Sequence, residues 1–223
     1  MKFYKNQLFH IFNQGNNKEE IFYTADNYEY FLWKMRAYLL PFGDLICWCL
    51  MPNHFHWQFF VKEIEIKRKI LRTSVDEIEH IRRVRKYGAK AILVNNAADR
   101  MAKAESFVTL NEAIGTLERS YARAINKQLG RTGSLFRKEC KAKDGWINEF
   151  VTLEKRNGQE DYRFLSGTNY GLYCFNYIHY NPVEADMVKL ITGYPYSSAK
   201  DYACLRNGTL CNLNLGRELM NFR

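Results

Sequence analysis

The stretch CWCLMPNHFHWQFFV, Cys47 to Val61, decides how the rest of the chain is read. Two apolar runs, Leu45–Leu50 and Trp57–Val61, flank Met51-Pro52-Asn53, and proline and asparagine are turn residues. The pattern predicts a β-hairpin whose second strand opens with His54-Phe55-His56. Side chains alternate along a strand, so His54 and His56 share a face and Phe55 takes the other. Two imidazoles at that spacing make a two-point clip for a metal ion. Taken alone, the pair is equally well explained as two solvated histidines on a half-exposed strand.

Upstream, Gln7–Asn13 alternates well enough to predict a first strand, closed by the polar loop from Gln14 to Lys18. The glycine in that loop, Gly15, would let the backbone approach a ligand, although a plain solvated turn fits as well. Asp26 is placed as the cap of a helix reaching about Leu40, with Tyr30, Phe31 and Met35 on its apolar stripe. Strand, helix, strand, strand is the first half of a ferredoxin-like α+β layout, an antiparallel sheet with helices packed on it.

Downstream the character changes. From Lys62 to Lys90 cations dominate, which predicts a charged helix or helix pair projecting from the core, or simply a solvated face. Ala91–Ser106 is weakly patterned. Thr109 then caps a helix over Leu110–Leu129, and Gly130 stops it. Leu110, Ile114, Leu117, Tyr121 and Ile125 line its buried face, and Arg119, Arg123 and Lys127 recur every four residues as a basic ridge. The glycine-rich segment that follows carries Arg131, Arg137 and Lys138 toward a fourth strand and suits a phosphate chain. Trp146–Arg156 reads as helical and Asn157–Gly167 as a polar excursion. Asn169–His179 reads as a short aromatic helix that stops before Asn181-Pro182, because a residue preceding proline disfavours helical geometry. The organisation expected is one domain over 1–200 with a basic helical insertion at about 62–106, then a C-terminal tail over 201–223.

At 223 residues, with 15 Tyr, 15 Phe and a formal charge of +9, the chain is globular and basic. Cations and rings together suit nucleic acid. The six cysteines form no Cys-x-x-Cys pair and no disulfide framework, and they sit mostly in hydrophobic runs. The N-terminus lacks the apolar core of a signal peptide, and no stretch reaches the length of a membrane span. A cytoplasmic protein without membrane contact is the expectation.

Three pieces belong together: His54 and His56 on a strand, basic surfaces for phosphate, and Tyr177 with Asn181 one helical turn beyond it. A tyrosine beside a metal is a credible nucleophile for phosphoryl transfer. The segments MPNHFH, YARAINKQLGRTGSLF and YIHYNPVEADMV, in this order and with HIFNQGNNKEEIF ahead of them, resemble the HUH-type single-tyrosine transposases. Their REP-associated branch is the most similar. The likeness spans most of residues 7–200.

The resemblance implies a ferredoxin-like HUH domain in which His54, His56 and Asn181 hold Mg²⁺ or Mn²⁺ and Tyr177 is the nucleophile. It implies nicking and rejoining of single-stranded or hairpin DNA through a 5′-phosphotyrosine link. Arg119, Arg123, Lys127, Arg131, Arg137 and Lys138 would hold the DNA backbone, and a homodimer is compatible with it. The alternative is a protein of the same fold that binds DNA hairpins without cutting them. The sequence also departs from the pattern: Gln14 stands where the family commonly has arginine, and Asp186 where it has a small residue. Tyr173 and Tyr180 are weighed as rivals to Tyr177 and read as packing residues, His179 is read as structural, and His10 is given no chemistry.

Overall fold

The computed structural model describes residues 1–88, 106–144 and 170–220. The expectations for residues 91–105, for Trp146–Arg156 and for Asn157–Gly167 lie outside them. Strand β1 (Gln7–Gln14), helix α1 (Ala25–Leu39) and the hairpin β2 (Gly43–Met51) and β3 (His54–Val61) come first. The short strand β4 (Glu65–Lys67), helix α2 (Arg68–Tyr87) and short strand β5 (Phe107–Thr109) follow. Helix α3 (Leu110–Leu129), strand β6 (Lys141–Asp144), helix α4 (Tyr170–Glu184), and the short helices α5 (Ala199–Tyr202) and α6 (Leu213–Leu219) complete the order. The main sheet runs β2-β3-β1-β6 with every pair antiparallel, and β4 pairs with β5 apart from it. This is an α+β fold with the ferredoxin-like strand order expected from the hairpin and its neighbours.

Both sheet faces are covered, which is why β2 reads as an unbroken apolar run rather than an alternating one. On one face Phe9, Ile11, Leu45, Phe55, Trp57 and Phe59 pack with α1 and α3 around Phe31 and Tyr121. On the other, Leu8, Cys47, Cys49 and Met51 meet α4 through Cys174, Phe175 and Ile178, with Met220 joining from the chain end. The apolar stripe of α3 is buried as read. Its Thr109 Oγ1 accepts from Glu112 N at 3.2 Å while Glu112 Oε2 accepts from Thr109 N at 2.8 Å, so two orphan amides are satisfied at once. Gly130 closes the helix in the left-handed region at φ 61°, which glycine adopts without a Cβ penalty.

Several boundaries differ from the reading. Helix α1 is capped at Thr24, not Asp26: Asn27 Oδ1 accepts from the Tyr23 and Thr24 amides, and Asn27 Nδ2 donates to Gln128 on α3 at 2.9 Å. Asp26 lies in the first turn. Helix α2 does not project. It lies along α1, where Ser74 Oγ donates to the Ala37 carbonyl at 3.0 Å and the Arg82 guanidinium sits 5.0 Å from the Tyr30 ring. Lys34 of α1 is buried under the same seam, 4.7 Å from Tyr30.

Gly15 approaches the chain itself rather than a ligand. A Cβ there would fall 2.0 Å from the Glu19 carbonyl oxygen, and Gly15 N donates to the Asn53 carbonyl at 2.7 Å, clasping the hairpin tip. Helix α4 runs on through Pro182 to Glu184, two residues past the proline, and lies on the sheet face opposite α1 and α3. The segment read as a tail is folded to residue 220. Leu50 N donates to Tyr196 O, Ser198 N to Trp48 O and Asn212 N to Leu45 O, so the outer edge of β2 is paired.

Candidate active site

The face of the sheet beneath α4 carries the candidate site. Alternation puts His54 and His56 of β3 on that face, as read. Cross-strand register then brings His10 of β1 beside them, with His10 Nε2 2.8 Å from His56 Nδ1. Helix α4 lays Tyr177 across the pair. Its ring centroid is 5.3 Å from that of His56 and 6.1 Å from that of His10, edge-on to both. One turn on, Asn181 is buried and presents Oδ1 to His54 Nε2 at 3.1 Å. The four residues expected to act together, His54, His56, Tyr177 and Asn181, are thus brought together from β3 and α4.

The hydrogen bonds fix a proton. Asn53 Nδ2 donates to the Lys18 carbonyl at 3.3 Å, so its Oδ1 is the atom that meets His54 Nδ1 at 2.6 Å and must accept. The His54 proton is therefore on Nδ1, and Nε2 is bare. A bare nitrogen then faces Asn181 Oδ1, acceptor against acceptor, while Asn181 Nδ2 is buried with no partner. Turning the amide would pair Nδ2 with His54 and leave Oδ1 toward the Tyr177 phenol. Two ligands of one cation, each at about 2.1 Å and at right angles, lie about 3 Å apart, so the donor set fits a divalent ion. Among the described residues no three His, Cys, Asp or Glu converge on such a point. The oxygen beside His54 Nε2 is the Asn181 amide Oδ1.

Burial sets the protonation states. It holds His56 well below the usual histidine range, with His10 and His54 adding to the effect, and it lowers His54, opposed by the Asn181 hydrogen bond. Burial and then the Lys143 charge push His10 down to about 3. All three imidazoles are neutral at physiological pH, the state a cation requires of its ligands. Burial raises the Tyr177 phenol, and the Asn181 amide beside it opposes the rise.

The other candidates sort clearly. Tyr173 and Tyr180, read as packing residues, are each 49% exposed. His179 is structural as read: buried, 2.8 Å from Ser198 Oγ, and held down to about 3 by burial. The six cysteines are free.

Of the basic set, Arg119, Arg123, Arg137 and Lys138 line one groove of about 860 Å³ on the α3 side, the sheet face away from the histidines. Lys127 is exposed on the same helix beyond the groove lining. Arg131 turns elsewhere, paired to Glu19 at 2.8 Å and to the Tyr23 hydroxyl at 3.0 Å. Also lining the groove is Glu118, which accepts from Asn13 Nδ2 at 2.9 Å and is pushed up by burial to about 7.

Sequence reading missed His10, Lys143 and Glu118. His10 had a signal, since β1 pairs with β3 and its alternation puts an imidazole on the face of His54 and His56. The other two depend on register and burial that no local pattern carries.

The fold and its site define an α+β protein of the ferredoxin-like HUH architecture. A solved structure of a REP-associated tyrosine transposase bound to a REP hairpin shares this fold, with a TM-score of 0.51 over 92% of this chain and 83% of that one. The two are 10% identical in sequence. No family model matches the sequence, and neither does any curated protein. No described helix is long and apolar enough to cross a membrane.

Proposed function

We propose that the protein nicks and rejoins single-stranded DNA, using Tyr177 as the nucleophile and DNA hairpins as the folded part of its substrate. The observation that carries this is the bare His54 Nε2 facing Asn181 Oδ1, next to His56, whose ring meets that of Tyr177 edge-on. The fold neighbour, a tyrosine transposase bound to a hairpin, supports the choice of substrate.

His54 Nε2, Asn181 Oδ1 and the free nitrogen of His56 would hold the divalent ion, and two imidazoles with one amide oxygen suit Mn²⁺ better than Mg²⁺. When bound, the ion supplies charge stabilisation at a non-bridging phosphate oxygen. With His10 Nε2 accepting a hydrogen bond from His56 Nδ1–H, His56 Nε2 would be left bare. Asn53 does the same for His54, so both ligands are oriented from behind. Asn181 steadies the Tyr177 phenolate.

The Tyr177 oxygen, having given up its proton to solvent, bonds to phosphorus. The bond to the 3′ oxygen breaks, and that oxygen takes a proton to become a free hydroxyl. The 5′-phosphotyrosine link keeps the ester, so a second 3′-hydroxyl can reverse the step on another strand with no nucleotide cofactor. Incubating the protein with a hairpin-bearing oligonucleotide and Mn²⁺ should give a covalent adduct stable to denaturant and mapping to Tyr177. No adduct at any divalent ion, with binding intact, would reduce the protein to a hairpin binder.

A further inference from the structure

Among the described residues strand β6 is the unpaired edge of the sheet: β2 is paired on its outside by residues 196–198 and 211–212, whereas no described residue pairs with the outside of β6. Register sets its side chains. Lys143 stands opposite His10 and Lys141 opposite Phe12, and directly paired residues in an antiparallel ladder share a face. Both ammonium groups therefore rise on the face that carries His10, His54 and His56. Lys143 is near enough that its charge is felt at His10 and at Cys174, three residues before Tyr177. Both lysines are exposed, and neither ammonium has an ion-pair or hydrogen-bond partner among the described residues. Their Cα atoms are about 6.8 Å apart, two strand residues, the scale on which successive phosphates of a stretched single strand repeat. Tyr173, one turn before Tyr177 on α4, is half exposed.

We infer that Lys141 and Lys143 form a two-phosphate track that lays the single strand flanking the scissile phosphate along the edge of the sheet, with Tyr173 stacking a base beside it. This rests on the proposed reaction and adds a binding site on the catalytic face, distinct from the groove under α3. The site recognises the backbone and is indifferent to sequence, because an ammonium reads only phosphate. Edge lysines also serve simply to keep strands from pairing with one another, and the placement of both on the catalytic face is what argues for the track.

The test uses the full chain carrying Tyr177→Phe, so that bound DNA is not consumed, titrated with a fluorescein-labelled single-stranded oligonucleotide over a range of salt. Adding Lys141→Ala and Lys143→Ala should weaken binding about fivefold per lost contact at 0.1 M salt and flatten the salt slope by about 0.7 per lysine. Lys141→Arg with Lys143→Arg should keep both, which separates charge from folding. An unchanged slope in the alanine variant overturns the track and leaves the lysines as edge guards. With Tyr177 intact, adduct formation at the parent rate by the alanine variant sinks the track while sparing the nucleophile. Absence of any adduct or salt-dependent binding in the parent takes down the function and the track together.

Discussion

The two faces of the sheet are built on opposite terms. The face under α1 and α3 is a dry core of large rings, with Phe31, Phe55, Trp57, Phe59 and Tyr121 all fully buried. The face under α4 is also largely buried, yet it spends its centre on three imidazoles, an amide and a phenol. Neutral imidazoles and an orphaned amide nitrogen contribute little to stability in such a place, since an unpaired buried polar group costs about 1–3 kcal/mol. The first face holds the fold, and the second face is held by it.

A matched pair of substitutions breaks the comparison most sharply. Tyr177→Phe should abolish the covalent adduct while changing stability by less than about 1 kcal/mol, because only a half-buried hydroxyl is lost. Phe31→Ala should do the reverse, costing about 3–5 kcal/mol in denaturant unfolding and leaving adduct yield per folded molecule unchanged. If Tyr177→Phe still forms adduct, the nucleophile is wrong and exposed Tyr173 becomes the candidate.

Next in size is His10. Its contact with His56 is the kind of supporting bond whose loss costs about 10–100-fold in metal affinity or rate. His10→Ala should therefore raise the Mn²⁺ concentration needed for half-maximal adduct formation by that factor, with oligonucleotide affinity unmoved. His10→Asn, which keeps a polar partner, should recover part of the loss. Equal loss of metal response and DNA binding in both variants would mean that His10 merely supports the strand.

How far the sequence could go follows from the range of the forces involved. Helix α3 is legible to its last residue because its determinants are local: the Thr109–Glu112 box, an apolar stripe, and Gly130. The His54–His56 pair and its relation to Tyr177 and Asn181 are legible from two periodicities and a resemblance. The contact of His10 with His56 needs the β1–β3 register, a long-range fact. The continuation of α4 through Pro182 needed tertiary support too. Pro182 falls in the last turn, where it forfeits one backbone hydrogen bond, and both Asn181 and Pro182 are buried. The C-terminal segment shows no period because it covers an edge and follows β2 instead of its own geometry.

Glu118 gives a smaller effect with a pH signature. Its folded pKa of about 7 lies above that of a free carboxyl, so the folded state binds the extra proton. Stability contributed by that proton is present below about pH 4.5 and is lost as pH rises toward 7. Glu118→Gln keeps an acceptor for Asn13 Nδ2 and carries no charge. It should match the parent near pH 4 and exceed it by about 1–2 kcal/mol at pH 8, the full shift being screened by solvent in the groove. A constant difference across pH, read from urea midpoints, would mean that Glu118 does not titrate between the two states.

The smallest effects separate the members of the basic set from one another. Arg119 and Arg123 line the α3 groove with Arg137 and Lys138, so each is placed to meet a phosphate that enters it. Arg131 is the opposite case. Its guanidinium is committed to Glu19 and Tyr23 across the loop that follows β1, and a phosphate would have to compete with a carboxylate already in place. On single-stranded DNA, Arg119→Ala and Arg123→Ala should each flatten the salt slope by about 0.7, Lys127→Ala by less, and Arg131→Ala not at all. Arg131→Ala should instead loosen the 14–23 loop, seen as faster amide exchange at Gly15 and Ile21, whose N–H groups bond the hairpin tip. A slope that falls with Arg131 and not with Arg119 would move the DNA path off the α3 groove and onto the loop that clasps the hairpin carrying His54 and His56.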